Sequence, residues 1–180
     1  MTAAGTPQDL AREAADRLAA LTGVPRHDVA LVLGSGWLPA AAALGAPSAQ
    51  IATTDLPGFS APAVQGHGGT IGSLELGGRR LLLFGTRTHY YEGKGVAAVV
   101  HPIRTAAAAG CRTVVLTNGC GGLDPAWTPG TPVLLRDHIN LTARSPIEGA
   151  HFVDLTDLYS ARLRAMCREA DPTLDEGVYV

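Results

Sequence analysis

The sequence predicts one α/β domain over residues 1–180, a mixed central β-sheet flanked by helices. Three observations carry this expectation. Apolar runs at residues 29–33, 81–84 and 112–117 read as strands buried on both faces. Segments after Thr6 and after Gly95 carry apolar residues suited to helices. Gly77-Gly78 between residues 70–76 and 79–84 is a strong two-residue hairpin signal, so at least one strand pair is antiparallel and the sheet is mixed.

Composition narrows the class of partner. The 180 residues are 46% hydrophobic and 17% charged, which is the balance of a globular core and not of a disordered segment. A formal net charge of −2 gives no reason to expect nucleic acid or an anionic membrane as partner. No apolar run approaches the roughly 20 residues needed to span a bilayer. The start, Met1-Thr2-Ala3-Ala4-Gly5, has neither the basic end nor the apolar core of a signal peptide. Cys111, Cys120 and Cys167 lack metal-ligand spacing, and an odd number makes a poor disulfide framework. A reduced, cytoplasmic location is the expectation, with no metal.

In chain order, Thr6-Pro7 opens a helix as N-cap and first-turn proline, with Leu10, Ala14, Leu18 and Leu21 as its apolar stripe and Gly23 closing it. The strand at 29–33 runs into Gly34-Ser35-Gly36-Trp37. A strand leading into a small-residue turn can bind an anion on exposed backbone N–H groups, and Ser35 adds a hydroxyl. A dinucleotide fingerprint is a weaker rival, because Pro39 replaces the third glycine and no acidic residue follows at the expected distance. A plain tight turn is the commoner meaning of an isolated Gly-x-Gly. Residues 40–65 read as a surface connection, ending in Gly66-His67-Gly68-Gly69, whose glycines predict an exposed imidazole.

After the hairpin, Gly85 ends the buried run, and Arg87, His89 and Tyr91 follow at alternate positions. Extended backbone there would put a guanidinium, an imidazole and a phenol on one face, a set suited to an oxyanion with a hydroxylated ligand beside it. Solvated polar residues at a strand end are the equal alternative. A helix over 95–109 follows, kinked by Pro102, with His101 structural. The strand at 112–117 opens into Asn118-Gly119-Cys120-Gly121-Gly122, backbone held open for a ligand, with Cys120 expected as a small buried apolar group. Arg136-Asp137-His138 ends a further strand and reads as internally paired in preference to metal-binding. A polar loop carrying Phe152, a helix from Asp157 to about Ala170 and a strand-like run at 177–180 complete the chain.

Thr86-Arg87-Thr88-His89-Tyr90-Tyr91-Glu92-Gly93 resembles the phosphate and ribose segment of trimeric purine nucleoside phosphorylases. Leu33-Gly34-Ser35-Gly36, Gly66-His67-Gly68 and Thr117-Asn118-Gly119-Cys120-Gly121-Gly122-Leu123 resemble further segments of that family in the same order, and Arg136 to Leu141 resembles a structural one. The resemblance implies the nucleoside phosphorylase fold, C-terminally incomplete, with the chain stopping before the purine-recognition segment. It implies phosphorolysis of purine nucleosides with inorganic phosphate as co-substrate and no other cofactor. By this resemblance Ser35, His67, Arg87, His89 and Gly119 would bind phosphate, with His89 and His67 catalytic. Tyr91, Asn118, Cys120, Gly121 and Phe152 would border the nucleoside, and a homotrimer is expected. A truncated phosphate-binding relic or regulatory subunit of the same fold is the alternative.

Overall fold

The computed structural model describes residues 5–60, 69–147 and 149–180. They divide into two compact units, Met1–Cys120 and Gly121–Val180.

The first unit begins with helix α1, Pro7–Thr22, capped as the sequence expects: the Thr6 hydroxyl accepts from Asp9 N–H, the Asp9 carboxylate accepts from Thr6 N–H, and Gly23 ends the helix in the left-handed region. Its inner face is Ala11, Ala14, Ala15 and Leu18. Leu10 and Leu21, expected in the buried stripe, lie at its margins and are each 38% exposed. Small alanines let the helix sit close to its neighbours, and larger side chains at the edges remain wet.

Strands β1 (Val29–Val32), β2 (Ala49–Ala52), β3 (Thr70–Leu76), β4 (Arg79–Phe84) and β5 (Thr113–Leu116) form one sheet in the order β2-β3-β4-β1-β5. β1 runs parallel to both β4 and β5, and β3 runs antiparallel to β2 and β4, so the sheet is mixed. Gly77 and Gly78 close the β3–β4 hairpin with φ of 57° and 70°, values glycine adopts without the steric cost other residues meet. Strand β2 was not anticipated, since residues 40–65 read as a loop. It is four residues long, and Ile51 and Leu56 near it are buried in the core.

Alternate side chains of β4 serve two cores. Leu82 and Phe84 join Leu18, Val32, Ile71 and Ala106, while Leu81 and Leu83 join Leu33 and Leu74 on the other side. Helix α2, Gly95–Ala108, packs on α1 and carries Pro102 inside it. His101 is buried, and its Nε2 lies 2.9 Å from the Pro57 carbonyl with the ring edge-on to Phe59, which is a structural role. β5 departs from expectation: Val115 and Leu116 are 43% and 60% exposed. Among the described residues it is an edge strand, with β1 as its one neighbour.

The second unit holds β6 (Val133–His138) paired in parallel with β7 (Asp175–Tyr179), and helix α3 (Ala161–Ala170) between them in sequence. The run at 177–180 is therefore the end of a strand that begins at Asp175. Helix α3 starts four residues later than expected, because the Asp157 carboxylate accepts from Ala161 N–H at 2.8 Å and turns the chain first. Trp127 Nε1 donates to Asp175 at 2.8 Å, and Arg164 pairs with Glu176 at 2.6 Å. Asp137 accepts from His138 N–H, and the His138 ring meets the Tyr159 hydroxyl at 3.1 Å.

His27, just before β1, is 2% exposed, with Nε2 2.9 Å from the Ser73 hydroxyl and Nδ1 buried without a partner among the described residues. Burial first, and the Arg80 charge second, lower its pKa from 6.5 to about 4. The unfolded chain thus gains a proton near pH 6.5 that the folded chain refuses until about pH 4, so stability falls as pH drops through that window. We expect this residue to remove about 2–3 kcal/mol by pH 4. Urea midpoints at pH 7 and pH 4 should differ by less in His27→Gln than in the wild type; an equal difference would show that His27 is not the cause.

Candidate active site

The parallel strands bring three exits to one edge of the sheet. Val32 is level with Phe84 on β4 and with Leu116 on β5. Gly34 and Ser35, Arg87, and Asn118 and Gly119 therefore all lie two to three residues beyond one rung. In open α/β sheets this carboxyl-end edge is where ligands bind. The opposite edge carries an open cleft of about 850 Å³ lined by Arg26, His27, Asp28, Glu75, Arg80 and Arg112. Along its strands Glu75 stands opposite Arg80, and backbone bonds join Arg80 to Asp28 and Asp28 to Arg112. Opposite charges alternate there, as expected where neighbouring strands settle a polar edge, so the glycine-rich edge is the better candidate.

Within the first unit, the loop after β1 lies directly against the loop after β5. A Cβ at Gly34 would stand 2.1 Å from the Thr117 carbonyl oxygen, so this position tolerates no side chain. Gly34 N–H donates to the Thr117 hydroxyl at 2.9 Å, and the Trp37 indole N–H donates to the Asn118 carbonyl at 3.1 Å. The Ser35 carbonyl is 3.2 Å from where a Gly119 side chain would begin. Arg87 Nη1 donates to the Thr117 carbonyl at 2.9 Å, which holds the guanidinium beside these two loops. Ser35 and Gly119 are exposed, and Asn118 and Arg87 half-buried. A seryl hydroxyl, an arginine fork and backbone N–H groups are the donors an oxyanion requires.

Tyr91 departs from the extended path the alternation implied, because Tyr90–Glu92 is a turn of 3₁₀ helix, while His89 keeps extended backbone as its N-cap. The two rings nevertheless stack, with centroids 4.9 Å apart and planes 20° apart. Glu92 fixes this turn: one oxygen accepts from His89 N–H at 2.7 Å and the other pairs with Lys94 at 2.9 Å. The His89 N–H first, and Lys94 next, hold the Glu92 carboxyl below its usual range. Tyr91 is 83% exposed, its ring open to a ligand.

Cys120 is exposed, against the expectation of a buried apolar group, because it lies past the strand on the open loop. Cys111 is the half-buried thiol, pushed up to about 11 by burial and then by the Asp28 charge. Gly121 and Phe152 belong to the second unit; both are exposed, Phe152 at 98%. His67 lies outside the described residues. Sequence reasoning passed over three groups that shape the site: the Thr117 hydroxyl, the Trp37 indole and the Glu92 carboxylate. Threonine closing a buried strand was the one available signal for the first.

Comparison with known proteins shows the family. A family model described as the phosphorylase superfamily matches residues 28–180. The purine nucleoside phosphorylase of Cellulomonas sp is 60% identical over 175 residues, covering 94% of this chain and 62% of its own length. That of Mycobacterium tuberculosis is 54% identical over 173 residues, covering 96% of this chain and 65% of its own. The chain thus spans less than two thirds of these curated relatives. The solved structure of Schistosoma mansoni purine nucleoside phosphorylase in complex with inosine superposes with a TM-score of 0.81 at 28% identity, covering 96% of this chain and 65% of that one.

Proposed function

Because the chain belongs to the phosphorylase superfamily, we propose that it serves phosphorolysis of purine nucleosides, with the β4-β1-β5 edge as its phosphate cradle. The observation that carries this reading is the meeting of Ser35, Arg87 and Gly119 around Thr117, at equal steps beyond one rung of the sheet. An oxygen of inorganic phosphate forms a bond to C1′ of the sugar as the bond from C1′ to the purine nitrogen breaks. The electron pair leaves with the base, which takes up a proton, and the products are the free purine and (deoxy)ribose 1-phosphate.

The chain's residues act by position and charge. Arg87, the Ser35 hydroxyl and the Gly119 N–H hold the phosphate against C1′, converting an encounter in solution into a reaction between fixed partners. His89 adds a further donor toward the anion. Tyr91 holds a sugar hydroxyl. Asn118 and Cys120 border the nucleoside. Phosphate enters as co-substrate, and the reaction as written calls for no metal or organic cofactor. A cytoplasmic homotrimer working in purine salvage, without nucleic acid or membrane partners, completes the reading.

The test is direct. The purified 180-residue chain is incubated with inosine, with and without phosphate, and release of hypoxanthine is followed. Phosphate-dependent release supports the proposal. Phosphate binding without cleavage, measured by calorimetry, would favour a non-catalytic phosphate-binding protein of the same fold. Neither binding nor cleavage would overturn the cradle itself.

A further inference from the structure

We infer that Thr117 is the positioning residue of the cradle, a role that rests on the phosphate-site reading above. In a regular parallel ladder, a residue whose N–H bonds one carbonyl accepts, on its own carbonyl, the N–H two residues further along the neighbouring strand. Thr117 N–H donates to the Val32 carbonyl at 3.0 Å, so its own carbonyl is due to receive Gly34 N–H. It does not. The Thr117 hydroxyl accepts Gly34 N–H at 2.9 Å and donates its own hydrogen to the Val32 carbonyl at 3.1 Å. The side chain takes over the ladder acceptor, and the carbonyl it releases receives Arg87 Nη1 at 2.9 Å.

One hydroxyl therefore decides two things about the anion site. It fixes the loop that carries Ser35, and it frees the carbonyl that orients the Arg87 guanidinium. Serine and threonine are the residues whose short side chain both accepts and donates at this reach. Valine has the same shape and neither capacity. In Thr117→Val, Gly34 N–H reclaims the backbone carbonyl and competes with Arg87 for it. The guanidinium then samples other orientations before phosphate arrives.

Two measurements on the whole chain test this. Without phosphate, side-chain ¹⁵N NMR of Arg87 should show slowed rotation of its Nη groups in wild type and Thr117→Ser, and fast rotation in Thr117→Val. In a titration with inorganic phosphate, Thr117→Val should bind at least 10-fold more weakly, with Thr117→Ser restoring affinity to within about threefold of wild type. Equal phosphate affinity in wild type and Thr117→Val overturns the positioning role. If Thr117→Val does not fold, fast Arg87 rotation in the wild type overturns it equally. Absence of phosphate binding by wild type, with Arg87 rotation slowed, overturns the cradle and leaves the hydroxyl's hold on Arg87 supported.

Discussion

Gly34→Ala is expected to destabilise the chain by about 3–5 kcal/mol, at the severe end of single substitutions. The added methyl would stand 2.1 Å from the Thr117 oxygen and 2.9 Å from both the Thr117 carbonyl carbon and the Asn118 Cα. All three are backbone atoms, so no flexible side-chain end can move aside. Relief requires β1 and β5 to part beyond Val32 and Leu116, which breaks the Gly34–Thr117 bond and shifts Arg87's acceptor. For a chain of this size, the loss corresponds to a melting temperature lower by roughly 10 °C. Gly36→Ala is the control. It has nothing within 4 Å of a new Cβ and a φ of 84°, so its cost is the conformational one, about 1–2 kcal/mol. A Gly34→Ala protein melting within 2 °C of wild type would mean that the two loops are not in contact.

Arg87→Ala should weaken inorganic phosphate binding by about 10–100-fold, the range expected when a charged hydrogen bond to an anion is removed. Its effect on phosphate-dependent turnover should be larger, on the order of 100–1000-fold, if the guanidinium also meets charge that develops in the transition state. Stability should change by only about 1 kcal/mol, the net value of its bond to the Thr117 carbonyl. Arg87→Lys keeps the charge and loses the planar fork, and should recover a minor part of the affinity. Calorimetry with phosphate and kinetics at varied phosphate concentration separate these effects. Unchanged affinity in Arg87→Ala would remove Arg87 from the site.

Much of this fold was legible from local chemistry. The N-cap Thr6 followed by Pro7, the Gly77-Gly78 hairpin and the apolar run at 81–84 each state their structure in a few residues. The family fold was legible too, through Thr86 to Gly93 and the glycine loops; the chain superposes on a solved phosphorylase along nearly its whole length. Strand β2 was not, since Ala49–Ala52 is short, and its pairing with β3 is a tertiary choice that alanine and glutamine do not announce. Exposure of β5 was not legible either, because an apolar strand reads the same at an edge as in the middle. At the site, residue types were visible while their connections were not. Tyr91 was placed by an alternation that a 3₁₀ turn interrupts. Thr117 acts by substituting for a backbone carbonyl, an exchange no spacing rule reveals.

The shared rung beneath these loops makes the site intolerant of changes in chain length. Neighbouring strands stand about 4.8 Å apart, and the sheet fixes that interval whatever the loops contain. One residue added within β1 or β5 would slide every following position by a step and turn Gly34 or Thr117 to the other side. The same addition between Gly45 and Ala46, off the ladder, would lengthen a surface turn at an entropic cost well below 1 kcal/mol. Variation in length is therefore admissible between the strands and inadmissible inside them, and a designer wishing to alter this chain should cut and splice only in the former.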